Sequence, residues 1–181
     1  MLQLTIPERE FFNNETQEFI KVKATTIQLE HSLVSVSKWE AKWHKPFLSE
    51  EDKTTEELVD YLRCMTITQN VSPWAYYAVD NQQLQKVRDY ISDPMTATTF
   101  RENKTKGKVK KQIITSEVIY YQMIALNIPM ECQKWHLNRL MTLIRVVSIK
   151  SQPEQKMKSG DTIRQYADLN RARRTAMHSK G

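Results

Sequence analysis

Glycine is nearly missing from this chain: Gly107, Gly160 and Gly181 are its only three in 181 residues. Neither G-x-G-x-x-G nor G-x-x-x-x-G-K-[ST] can be written anywhere in it, which excludes the glycine-rich phosphate cradles. Cysteine is also scarce. Cys64 and Cys132 fit free, buried thiols in a reducing compartment. No apolar run approaches the roughly 18 residues that a bilayer span needs. The opening MLQLTIPERE lacks the basic-then-apolar pattern of a secretory signal. A cytoplasmic protein without membrane contact is therefore expected. Metal-ligand spacing is lacking too. Cys132 and His136 stand four apart, but Cys64, His31, His44 and His178 form no C-x-x-C or H-x-x-x-H, so no structural metal and no cofactor are expected. Ser35 and Ser37 have no spaced His and Asp partners that would suggest a catalytic triad, and no catalytic residue is assigned.

What is present is an aromatic-rich, polarised chain. Four Trp, seven Tyr and five Phe support an ordered core, and the length suits one domain or one domain with an appendage. The formal charge of +6 comes from two stretches, 101–111 and 150–181, each net +5, while acids gather in 50–60 (EEDKTTEELVD). Such polarity suits nucleic acid, self-association or an acidic protein partner. The stretch 101–111 has no aromatic residue on which a base could stack. Glu56, Glu57 and Asp60 read as one solvated helix edge rather than an acid–base pair.

Leu2, Leu4 and Ile6 alternate, as do Ile20 with Val22 and Ile27 with Leu29, which predicts strands. Phe11-Phe12-Asn13-Asn14 reads as a turn-like break between them. From Leu33 the spacing changes: Val36, Trp39 and Trp43 follow at helical intervals, closing before Pro46. Thr54 and Glu57 form a capping box for a helix over about 55–66. A further helix is predicted over 80–91, with Leu84, Val87 and Ile91 inward. Thr115 is placed to cap another, over 116–127. Pro129 then suits the first position of a helix running to Ile149, antiparallel to the one before it. The fold class is α+β: an N-terminal antiparallel β element, a compact helical bundle and a basic C-terminal arm. The divisions are 1–47 for the β element with its short tryptophan helix, 48–149 for the bundle and 150–181 for the arm.

On the last predicted helix, Cys132, Trp135, Leu140, Leu143, Ile144 and Val147 share a face. Trp135, Leu140, Leu143 and Val147 serve as core anchors, packing on Tyr121, Ile124 and Leu58 or Leu62. Arg139 and Arg145 mark a basic edge. Tryptophan is either core anchor or interface hot spot, and Trp39 and Trp43 are carried as candidate partner contacts with Arg139. Arg171, Arg173 and Arg174 complete that set, because the guanidinium fork pairs carboxylates and phosphates bidentately. The arm has little apolar stripe and is expected to become ordered on an acidic protein surface.

Several blocks carry a resemblance. Ser32-Leu33-Val34-Ser35-Val36-Ser37-Lys38-Trp39-Glu40, with Trp43 and Lys45-Pro46-Phe47-Leu48, resembles the opening of a group of tailed-bacteriophage proteins. Ile114-Thr115-Ser116-Glu117, Ile128-Pro129, Trp135-His136-Leu137-Asn138-Arg139-Leu140 and Leu169-Asn170-x-Ala172-Arg173 extend it over most of the chain. These blocks resemble the small tail assembly chaperones encoded just before the tape-measure protein. The resemblance implies a non-enzymatic morphogenesis factor in the bacterial host cytoplasm, escorting the helical tape measure or contacting tail-tube protein, with self-association. The alternative is a structural tail or baseplate component that stays in the virion, and a third reading is nucleic-acid binding through the basic stretches.

Overall fold

The pairing that sets Leu2 opposite Leu29 and Ile6 opposite Thr25 continues without a slip to Arg9 opposite Val22 and Asn13 opposite Glu18. Four strands, β1 (Leu2–Ile6), β2 (Arg9–Asn13), β3 (Glu18–Val22) and β4 (Thr25–Leu29), thus make one long antiparallel ribbon in two halves. The ladder is interrupted at Pro7 and Glu8, opposite Lys23 and Ala24. Proline has no amide hydrogen to give a ladder, so an interruption there is expected. The computed structural model describes residues 1–13, 17–100, 113–151, Ala167 and Arg171. Phe11 and Phe12 lie within β2 and are not the turn-like break their neighbours suggested. They are large β-formers whose backbone pairs with Ile20 and Phe19.

The inner half of the ribbon alternates as a half-buried sheet should. Leu4, Ile6, Ile27 and Leu29 are buried, while Gln3, Thr5, Thr26 and Gln28 face water. Its β4 edge is covered by the chain leaving the second helix: Glu30 N–H donates to the Met65 carbonyl and Ile67 N–H to Gln28.

Helix α1 (Leu33–Trp43) starts with a capping box made wholly of serine: Ser32 and Ser35 each accept the other's backbone N–H. Its Leu33, Val36 and Trp39 are buried, and His44 ends it in the left-handed region at φ 53°. Helix α2 (Thr55–Met65) carries the expected Thr54–Glu57 box, and α3 (Asn81–Ser92) has an equivalent Asp80–Gln83 box. A short 3₁₀ segment, Pro73–Ala78, lies between them. Helix α4 (Ser116–Ala125) packs on α1 rather than chiefly on the following helix, so the expected antiparallel pair does not organise this end. The fold is α+β, strands first and helices after.

The predicted helix from Pro129 is two pieces. Met130–Lys134 is 3₁₀, Trp135 is extended (φ −71°, ψ 161°), and α5 (Leu137–Ser151) starts afresh. Tertiary pairing overrides the helical spacing here: Ser32 and His136 form an antiparallel bridge, and Leu137 N–H donates to the His31 carbonyl at 2.7 Å. An extended backbone is needed to make that bridge. The inward face of α5 is consequently set by Leu137, Leu140 and Ile144. Leu140 is fully buried, whereas Trp135, Leu143 and Val147 are half-buried against the core. Tyr121, Ile124 and Leu58, expected beneath them, are exposed, and Leu62 is buried.

The chain divides into two compact units, Met1–Val147 and Ser148–Gly181. In the second, residues 148–151 finish α5, and Ala167 and Arg171 are helical and exposed. Truncation separates the two tryptophans now distinguished by burial. Trp39→Ala is expected to cost roughly 3–5 kcal/mol, and Trp135→Ala about half as much because its ring is only half-buried. Urea unfolding of both variants measures this, and equal losses would contradict the assignment.

Candidate functional site

The groups with the most chemistry converge where β4, α1, α2, α3 and the start of α5 meet. His31 Nδ1 lies 2.5 Å from the Tyr61 hydroxyl, and that hydroxyl is 3.4 Å from Ser35 Oγ. The His31 and His136 rings stand edge to face, 5.1 Å between centroids, and Tyr90 packs edge-on against His136 at 4.9 Å. His136 Nε2 is 2.9 Å from the Tyr90 carbonyl. A carbonyl only accepts, so Nε2 is the donor here, which leaves Nδ1 as the ring's other nitrogen. No described residue hydrogen-bonds that Nδ1. The Tyr90 hydroxyl donates to Glu30 at 2.6 Å, and Glu30 also holds the N-terminal ammonium at 3.2 Å.

Burial dominates the electrostatics of this centre. It pushes the His31 imidazole down to about 4, with repulsion from His136 adding to the effect. It also drives the Tyr61 and Tyr90 phenols upward, the latter reinforced by Glu30. The Cys64 thiol is raised to about 11 by burial and then by Asp60, so it stays protonated and unreactive at neutral pH. The centre locks four chain segments together, and its His31, Ser35, Tyr61, Tyr90 and His136 side chains are buried.

The acidic edge over 50–60 is only partly a solvated face. Glu57 and Asp60 are buried because α1 and its C-terminal loop supply them with partners. Lys45 Nζ pairs with Glu57 at 2.6 Å and holds its carboxyl below the usual range, helped by the Thr54 N–H. Lys42 pairs with Asp60, which also accepts the Trp43 indole N–H at 3.0 Å. Glu50, Glu51, Asp52 and Glu56 remain exposed. Glu40, likewise buried, accepts Phe47 N–H at 2.8 Å with one oxygen and Ser116 N–H at 2.7 Å with the other. It therefore does the capping expected of Thr115, whose side chain makes no cap bond.

Among the candidate partner contacts, Trp39 is removed from solvent at 1 % exposure, its indole donating to the Glu57 carbonyl at 2.9 Å. It is a core anchor, not a partner contact. Trp43 is half-buried and stacks on Trp39. Arg139 is exposed and lies over the Trp135 ring at 4.3 Å. Arg171 is exposed, and Arg173 and Arg174 lie outside the described residues. No group of three or more His, Cys, Asp or Glu among the described residues could hold a metal, and no helix among them is long and apolar enough to cross a membrane.

Three apolar surfaces among the described residues are exposed as well. Helix α4 is apolar nearly all round yet covered on one side, leaving Tyr121 and Ile124 outward at 71 % and 67 % exposure. Phe11, Trp74 and Tyr77 form an aromatic strip with Arg63 over the last ring at 5.6 Å. Phe12 and Phe19 pair across the outer ribbon. None was legible as a surface beforehand, because hydrophobicity alone does not say which side of an apolar helix is covered. The family models, the curated proteins and the solved structures contain no match to this chain.

The histidine centre gives a pH dependence with a definite sign. Unfolded His31 takes a proton near 6.5, whereas the folded ring refuses it until about 4. Stability is therefore full above 6.5 and falls as pH drops through that window, by roughly 3 kcal/mol in all. Chemical denaturation across pH 4–7.5 measures it. His31→Gln should flatten the slope, and an unchanged slope in that variant would assign the effect elsewhere.

Proposed function

We propose that this protein is a non-enzymatic bacteriophage tail morphogenesis factor, an assembly chaperone for the tape-measure protein that works by protein–protein contact in the host cytoplasm. The observation that carries the reading is α4. A helix apolar around most of its circumference belongs in an interior, yet the outward side with Tyr121 and Ile124 has no cover within this chain among the described residues. Glu117, one turn before Tyr121, is exposed beside the patch and does not hide it. The blocks 32–48 and 135–140 that resemble tail assembly chaperones support the same reading, and they coincide with the α1 and His136 junctions that build the core. The titratable groups in the interior support it too, since Glu40, Glu57 and Asp60 are all engaged in structural bonds.

The alternative is a structural tail or baseplate subunit that remains in the particle. The outer ribbon favours it, because β2 and β3 form a two-stranded sheet with backbone groups on which further strands can add. Mass spectrometry of purified virions separates the readings: stoichiometric protein in the particle supports the subunit and opposes the chaperone.

Co-expression with the phage's tape-measure polypeptide tests the chaperone directly. The wild-type protein should raise the soluble yield of that polypeptide several-fold. Tyr121→Ser with Ile124→Ser should remove the gain while the melting temperature of the variant stays near wild type. A gain indifferent to both substitutions would place the contact away from α4.

A further inference from the structure

The outer half of the ribbon has a face whose composition is matched to itself. On that face Glu10 stands opposite Lys21 and Phe12 opposite Phe19, while Phe11 and Ile20 point the other way. The two phenylalanine rings are 5.1 Å apart, and they are 46 % and 74 % exposed. Lys21 bridges Glu8 at 2.9 Å and Glu10 at 3.8 Å, all three side chains being more than half exposed. The opposite face is engaged within the molecule, with Val22 buried and Phe11 tilted against Trp74 at 6.3 Å. Among the described residues, the Phe12–Phe19 side of this ribbon has no covering layer.

A two-stranded ribbon is marginal in water on its own, and an exposed aromatic pair at its centre adds to the cost. We infer that this face docks on the same face of a second copy, related by a two-fold axis along the ribbon. That operation places β2 over the partner's β3. Each acid then meets a base, Glu10 over Lys21 of the partner subunit, and each Phe12 meets Phe19 of the partner subunit. A two-fold operation makes the contact isologous, so it closes as a dimer. Other two-fold arrangements can also stack the rings, but they do not set every charge against its opposite.

The internal bridges of Lys21 do not oppose this exchange. Exposed ion pairs contribute about 0–1 kcal/mol, so the ammonium can be shared with the partner at little cost. The size of the patch fixes the strength of the association. Two rings, together exposing a little more than one full side chain, hide on the order of 250 Å² per copy. That is well below the about 800 Å² per partner of a standard stable interface. The dimer is therefore weak and reversible, populated at high local concentration.

Sedimentation of the full chain over a wide concentration range tests the inference, with thermal melts confirming that each variant folds. Wild-type protein should shift from monomer toward dimer as concentration rises. Phe12→Ser with Phe19→Ser should raise the dissociation constant at least about tenfold. The decisive arm uses charge in trans: Glu10→Lys and Lys21→Glu should each be weaker dimers alone, while their equimolar mixture should dimerise better than either. Within one chain each substitution spoils the internal pair, so recovery on mixing reports the contact between chains. A wild-type protein monomeric at every concentration would overturn the inference. So would a dimer indifferent to the two phenylalanines, or a mixture no better than its components.

Discussion

Glu40 ties three parts of the chain together with one side chain. Its two carboxylate oxygens take backbone N–H groups from Phe47, seven residues on, and from Ser116, seventy-six residues on. Both donors would otherwise be buried without partners, and an orphaned N–H costs about 1–3 kcal/mol. The negative charge also sits at the N-terminus of α4, where the helix dipole favours it. With α4 seated this way, Ile119 and Met123 close over α1, and the turn beyond α4 brings in the 3₁₀ segment before His136. The loop held at Phe47 in turn stacks its ring on Tyr61 at 4.0 Å, and Tyr61 reaches His31. The polar centre and the hydrophobic core are thus assembled by the same carboxylate.

The elements most legible in the sequence were those whose cause is local. Thr54 with Glu57 marked the start of α2 because the two groups satisfy each other within one turn. Alternation at Leu4, Ile6, Ile27 and Leu29 marked the inner ribbon because one side of it is buried. Where the cause is remote, the sequence misled. Trp135 and Cys132 keep helical spacing with Leu140, but a bridge to Ser32 draws the backbone straight between them. Glu57 and Asp60 look like a solvated edge until Lys42 arrives from α1 and Lys45 from the loop after it. Phe11 and Phe12 resembled a break because the asparagines beside them favour turns, while the pairing that makes them a strand comes from Phe19 and Ile20.

The candidate site was less legible than the fold, for a physical reason. Functional contacts by aromatic and apolar side chains use the residue types that also fill cores, so sequence cannot divide them. Trp39 and Trp43 differ by one helical turn, yet one is sealed in the interior and the other reaches its rim. On α4 the distinction runs around a single helix: Ile119 is buried and Ile124 is exposed. Only the position of α1 decides which is which.

The break at Pro7 gives the ribbon a mechanical character. Strands β1 and β4 are clamped between the core and the chain after α2, while β2 and β3 are joined to them through residues 7–8 and 23–24, which carry no ladder bonds. Bending energy concentrates where the ladder is missing, so those two pairs act as a hinge between an anchored base and a lever. Amides of the base are expected to exchange with solvent only when the whole domain opens, while those of the lever exchange by local opening. A surface carried on such a lever moves only as far as the packing of Val22 and of Phe11 on Trp74 allows.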